Sequence, residues 1–203
     1  MTKSPTPPPY GRKNSLDLTL SILSSQANLN SNLTIVEIGT IRGKDEAHSN
    51  GWSTLAFAAF CQYFETDKKS KFRFFSIDIS EQACSISRSV LESYGLLSYA
   101  DVVCENAHTW ILKAEDRQIN LLYVDGWDYH LGNERESEVE TLKFVKSAMP
   151  KLSYGALVLF DDNFDNQFTG KGKLAIPYLL SEGWIQVAGI DNQVLLIRNW
   201  IYH

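Results

Sequence analysis

The chain has 203 residues, 44% of them hydrophobic, and a net charge of -5 at pH 7. That length suits one domain with a sizeable core, and the negative balance leaves no overall basic footprint for nucleic acid. The three cysteines, Cys61, Cys84 and Cys104, form no CxxC pair, which argues against a zinc site and a disulfide scaffold and makes a reduced, cytosolic setting the default.

The first residues, "MTKSPTPPPYGRKNS", are proline-rich and lack a hydrophobic region, so residues 1–12 read as a flexible tail rather than a secretory signal. One domain is expected over 13–203, and no apolar run in it reaches the length of a membrane span. "NSLDLTLSILSSQ" (14–26) opens that domain with polar cap candidates and a helical spacing of leucines. "LTIVEI" (33–38) is a short apolar strand, and "STLAFAAFCQYF" (53–64) a largely apolar helix. "KFRFFSIDI" (71–79) is a strand, followed by a Ser-capped helix with a Gly stop (80–95).

"ADVVC" (100–104) is the third strand, "TWILKAED" (109–116) a short helix and "INLLYV" (119–124) the fourth strand. An amphipathic helix (134–150) ends at Pro150, and "GALVLF" (155–160) is the fifth strand. "GKGK" (170–173) lacks phosphate-loop spacing and reads as a flexible basic loop; "LAIPYLLSEG" (174–183) reads as a broken helix. "WIQVAGI" and "QVLLIRN", joined through Asp191-Asn192, form a closing hairpin.

Continuous apolar strands fit a sheet covered on both faces, and their alternation with helices predicts an α/β fold: a doubly wound, mostly parallel, seven-stranded sheet with an antiparallel strand in the C-terminal hairpin. Ligands in such sheets bind beyond the carboxyl ends of the strands. The first strand leads into Glu37, Gly39, a polar insert over 43–50, then Gly51, Ser53 and Thr54. The second ends on Asp78, the third on Glu105-Asn106-Ala107-His108, the fourth on Asp125 to His130, and the fifth on Asp161-Asp162-Asn163. Glycine lets backbone approach a ligand, and an acid ending the second strand can accept hydrogen bonds from both ribose hydroxyls, so a nucleoside-containing cofactor is expected. A dinucleotide is disfavoured: G-x-G-x-x-G is missing, and Asp45 and Glu46 would meet a pyrophosphate.

On "VEIGT", "FFSIDIS", "ENAHTW" and the terminal hairpin, residues 33–198 resemble the class I S-adenosylmethionine-dependent methyltransferases. The resemblance implies cofactor contacts from Glu37, Gly39, Thr40, Gly51, Ser53, Asp78, Ile79, Asn106, Ala107 and Asp125. A narrower resemblance, carried by "LLYVDGWDYH" and "LVLFDDNF", is to the metal-dependent catechol O-methyltransferase-like group, and "VDGWDYH" also resembles the broader "DGDHSY"-type methyltransferases. It implies Asp125, Asp162 and Asn163 as ligands of Mg²⁺ or a similar divalent cation, with Asp161 as their partner or as the alternative ligand if the register slips by one. That group carries a lysine three residues after the first metal acid; Asp128 stands there in this chain, with His130 nearby, so these two are the catalytic candidates.

Mg²⁺ takes oxygen ligands and lowers the pKa of a bound hydroxyl, which fits O-methylation of a small-molecule or sugar hydroxyl in the cytoplasm, without nucleic acid or membrane. A metal-independent methyltransferase of the same fold and a non-catalytic nucleoside-cofactor-binding protein are the alternatives, with a dehydrogenase third. Arg42 and His48 are candidate contacts from the insert, and Trp110, Trp127 and His108 are candidates to stack on or sit beside a ligand. The loops at 128–135 and 164–173 and the insert are expected to form the acceptor pocket. The short N-terminal region leaves little material for a lid, so the pocket is open or completed by a second subunit of a homo-oligomer.

Overall fold

The structure, a computed structural model, describes residues 13–27, 32–45, 52–68, 71–164 and 169–199. The expected tail at 1–12, Gly51, His48 and the 46–50 portion of the insert lie outside the described residues. Helix α1 (Lys13–Ala27) precedes β1 (Asn32–Ile38), α2 (Trp52–Tyr63), β2 (Lys71–Asp78), α3 (Glu81–Ser93) and β3 (Asp101–Cys104). Then come α4 (Ala107–Lys113), β4 (Ile119–Val124), α5 (Glu134–Ala148), β5 (Leu152–Phe160), α6 (Ala175–Ser181), β6 (Trp184–Ile190) and β7 (Gln193–Arg198).

The seven strands form one sheet in the order β3-β2-β1-β4-β5-β7-β6. The first five pair in parallel; β7 runs antiparallel to both β5 and β6, as the closing hairpin predicts. Asp191 and Asn192 both take positive φ, 59° and 57°, the backbone that a two-residue hairpin turn needs to match strand twist.

Side-chain alternation sorts the strands onto two cores. Ile35, Leu121, Tyr123, Leu157 and Leu159 pack with Leu23 of α1, Phe57 of α2 and Leu91 of α3. Their sequence neighbours Val36, Leu122, Val124, Val158 and Phe160 pack with Ile111 of α4, Phe144 of α5 and Ile176 of α6. Both faces are therefore dry, and β4 is buried at all six positions. The winding direction reverses between β1 and β4, so a crevice opens where their carboxyl ends part.

Three local expectations change. The segment at 174–183 is not broken: Pro177 falls in the first turn of α6, where its missing N–H has no intrahelical partner to lose. The helix expected at 109–116 starts earlier, because Asn106 Oδ1 accepts hydrogen bonds from the amides of His108 and Thr109. Residues Gly170–Lys173 form a 3₁₀ turn in which Gly170, Lys171 and Gly172 are buried, not a basic loop in solvent.

Candidate functional site

A cavity of about 360 Å³ occupies that crevice. Its wall is drawn from every parallel strand end but that of β5: Ile38, Gly39, Thr40 and Arg42 around the end of β1; Ile77 to Ser80 around the end of β2; Glu105 to Ala107 after β3; Asp125 to Asp128 after β4.

Gly39 forms the floor. Its φ is +95°, its amide donates to Ile77 O at 2.8 Å, and a Cβ there would stand 3.1 Å from the carbonyl oxygen of Asp125. Only glycine suits that backbone at that closeness. Thr40 follows, its amide 3.3 Å from Asp78 Oδ2, while the other oxygen of Asp78 accepts from the Ser80 amide at 2.8 Å. Asp78 is thus oriented by two turns and still faces the cavity. Ile79, 70% exposed, lays an apolar side chain along the same wall.

Glu37 is buried and does not line the cavity. In the pleat it shares the α2 side with Ile35, so its carboxylate accepts hydrogen bonds from Ser53 Oγ (2.6 Å), Thr54 Oγ1 (2.8 Å) and Ser76 Oγ (2.6 Å). Burial pushes its pKa up to about 7 against the pull of those hydroxyls. Ser76 Oγ lies 2.8 Å from Thr40 Oγ1, which donates to Ser87 Oγ at 2.8 Å, so Glu37 reaches the cavity wall only through a chain of hydroxyls. Of the ten expected cofactor contacts, Gly39, Thr40, Asp78, Ile79, Asn106, Ala107 and Asp125 are on the wall, Glu37 and Ser53 stand behind it, and Gly51 is undescribed.

The two catalytic candidates separate. Asp128 is on the wall, 2.6 Å from Arg42, and that guanidinium holds its carboxyl below the ordinary carboxylate range. His130 is exposed and outside the cavity lining; its backbone amide donates to Asn133 Oδ1. Trp127 lines the cavity but packs its ring on His108 and Phe144, with centroids 5.3 and 5.4 Å away, and Trp110 packs on Phe75. His108 turns to Glu140, 3.2 Å away.

Beside the cavity, ligand oxygens of Asp125, Asp161 and Asp162 lie within 4.8 Å of one another. The side chain at their centre is Lys171, which sequence reading passed over. Its ammonium donates to Asp125 Oδ1 at 2.7 Å and to the Asp125 carbonyl at 3.1 Å, and it pairs with Asp162 Oδ2 at 2.8 Å. Burial pulls its pKa down, but Asp125, Asp162 and Asp161 outweigh burial and hold it above the ordinary lysine value. Asp161, fully buried, accepts from Tyr123 OH (3.0 Å) and Gln193 Nε2 (3.1 Å).

Asn163 is equally buried, its Oδ1 accepting from the Gly172 amide at 3.0 Å and its Nδ2 donating to Asp161 O at 2.8 Å. Of the three expected metal ligands, Asp125 and Asp162 are brought together, with Asp161 as the third clustered carboxylate; both expected aspartates pair with an ammonium, and Asn163 instead clamps the turn that carries it. The signal in the sequence was the glycine on each side of Lys171, which marks close backbone approach.

Comparison with solved structures places this architecture among known folds. A protein of Corynebacterium glutamicum is 12% identical, with 97% of this chain and 85% of that one covered and a TM-score of 0.62. The O-methyltransferase TomG of Streptomyces achromogenes, involved in tomaymycin synthesis and solved with SAM, is 15% identical over 90% of this chain and 80% of that one, at a TM-score of 0.57. An O-methyltransferase of Bacillus cereus, solved with SAH, is 14% identical over 90% and 81%, at 0.55. At such identities the likeness is one of fold. No curated protein matches the chain in sequence. The family model described as "Methyltransferase domain" matches residues 36–163, more than half of the chain and every strand end that walls the cavity; the chain belongs to this methyltransferase family.

Proposed function

We propose that the chain transfers a methyl group from S-adenosylmethionine to an oxygen of a small-molecule or sugar acceptor. The observation that carries this reading is the cavity at the β1/β4 reversal, where the Gly39 turn stands opposite the oriented carboxylate of Asp78. The SAM and SAH held by structural neighbours, both named as O-methyltransferases, support the cofactor and the oxygen acceptor.

In this reading Asp78 accepts from the ribose hydroxyls, and Ile79 and Ala107 flank the adenine beside Asn106. Gly39 and Thr40 let the methionine portion approach the backbone. Asp125 faces the positively charged sulfonium end, whose charge disappears as the methyl group leaves. Attack by the acceptor oxygen forms the O–C bond as the S–C bond breaks, and its electron pair stays on sulfur as a neutral thioether. The oxygen becomes oxonium-like along this path, and its proton becomes strongly acidic. A carboxylate as weakly basic as Asp128 is then a sufficient acceptor for that proton, and it is the one of the two candidates on the wall.

A divalent cation on Asp125, Asp162 and Asn163 is the part of the expectation that the donor set fits poorly, because Lys171 and Gly172 already engage those oxygens. The metal-independent form of the reaction is therefore the one we favour, in a protein that acts on neither nucleic acid nor membrane.

Calorimetric titration with S-adenosylmethionine and its demethylated product tests the reading. Binding of both, lost in Asp78→Ala, is expected. Failure of either nucleoside to bind would sink it, and binding without turnover across varied acceptor hydroxyls would leave a cofactor-binding protein instead.

A further inference from the structure

Lys171 is 1% exposed, and three oxygens surround its ammonium at 2.7 to 3.1 Å. An ammonium has three N–H donors, so this environment uses the full set. Two of the oxygens belong to Asp125, the wall of the cavity at the end of β4; the third belongs to Asp162, beyond the end of β5. The lysine thereby fastens two strand ends whose carboxylates would otherwise repel each other.

The turn that delivers it is seated on the same residues. The Lys171 amide donates to Asp162 O at 3.3 Å, and the Gly172 amide to Asn163 Oδ1 at 3.0 Å. A Cβ at Gly170 would overlap the Asp162 carbonyl oxygen, and one at Gly172 would overlap Asn163 Oδ1 and Ile176. Side chains at 170 or 172 would lift the turn and withdraw the ammonium. Lys171 also lies beyond the segment that the family model matches, which ends at Asn163.

We propose that Lys171 is the built-in cation of this site: its ammonium fills the position between Asp125 and Asp162 that a divalent ion would otherwise take, so the strand-end carboxylates are held without a metal. Lys171 is a positioning residue, since it acts on the cavity through Asp125. A divalent ion would have to displace a buried ammonium from two carboxylates and also turn the Asn163 amide away from Gly172. Breaking a buried ion pair by removing one partner is strongly unfavourable, because the remaining charges lose their compensation. The inference deepens the proposed methyl transfer and rests on it only for the meaning of the site.

The test is a Mn²⁺ titration followed by electron paramagnetic resonance, on the wild-type chain and on Lys171→Met, an uncharged variant of similar length. The wild-type chain is expected to leave the signal of free Mn²⁺ unchanged. Lys171→Met is expected to bind one Mn²⁺, to melt lower without it and to regain melting temperature with it; adding Asp162→Asn should abolish that binding. Stoichiometric Mn²⁺ binding by the wild-type chain that Asp162→Asn removes would overturn the proposal, as would a folded Lys171→Met that binds no more Mn²⁺ than wild type. Should Lys171→Met not fold, Lys171→Gln takes its place, and the wild-type titration alone still decides against the proposal if the ion binds. A parallel titration with the demethylated cofactor separates the two readings: its failure removes the methyl-transfer reading and leaves the metal result standing.

Discussion

Gly170 packs so closely on Asp162 that a Cβ at residue 170 would overlap the Asp162 carbonyl oxygen, and its φ of +77° is one that side-chain-bearing residues rarely adopt. The buried lysine next to it depends on this contact.

Gly170→Ala should therefore destabilise the chain by about 3 kcal/mol, the sum expected of overpacking and a left-handed backbone. Urea unfolding monitored by tryptophan fluorescence measures this. A loss under about 0.5 kcal/mol, the range of ordinary surface substitutions, would show that the turn can lift at little cost.

Glu37 governs a pH dependence of stability. Its pKa is pushed from 4.5 up to about 7 in the folded chain, so between those values the folded state binds a proton that the unfolded state has released. Stability from this group is fully present below about pH 4.5 and is lost as pH rises through 7, by roughly 3 kcal/mol in all. Glu37→Gln carries no ionisable proton, so its melting temperature should fall less steeply than wild type between pH 5 and 7. Parallel curves for the two proteins would show that Glu37 is not the group responsible.

Asp128 and His130 divide by position. Asp128→Asn should lower kcat by about 100-fold, the lower range for loss of a positioned base, with cofactor affinity retained. His130→Ala should leave kcat/KM within a factor of about three, since a surface residue outside the cavity changes little. Arg42 holds Asp128 ionised, so the acidic limb of the rate profile should lie below the ordinary carboxylate range and move to higher pH in Arg42→Met. An inactive His130→Ala beside an active Asp128→Asn would reverse the assignment.

Asn106 both caps α4 and lines the cavity. Asn106→Ala should cost about 1 kcal/mol of stability, as lost caps do, and weaken cofactor binding; Asn106→Ser, which keeps a capping oxygen, should recover the stability. Calorimetry and thermal melts on both variants check the two effects separately.

Much of the architecture was legible because it follows from local pattern. Apolar strands alternating with helices imply the doubly wound sheet, and Asp191-Asn192 between two strand patterns implies the hairpin that reverses β7. The strand ends announced the cavity for the same reason, since residues just past a parallel strand have one place to go. Seven of the proposed contacts, from Gly39 to Asp125, stand where that rule puts them. The rule fails one step earlier: Glu37 sits within the pleat, on the α2 face, and belongs to Ser53, Thr54 and Ser76.

What the sequence by itself determined, then, is the fold and the location of the site, because periodicity and strand-end polarity are properties of neighbouring residues. What only the tertiary structure decided is the charge balance within the site. Lys171 stands in a "GKGK" string that reads as solvated, and lysine is seldom buried without a partner. Its partner Asp125 lies 46 residues earlier, just past the end of β4. Whether an ammonium or an ion from solution neutralises these carboxylates depends on two glycines admitting the turn against β5. That close approach exists only once the sheet has formed.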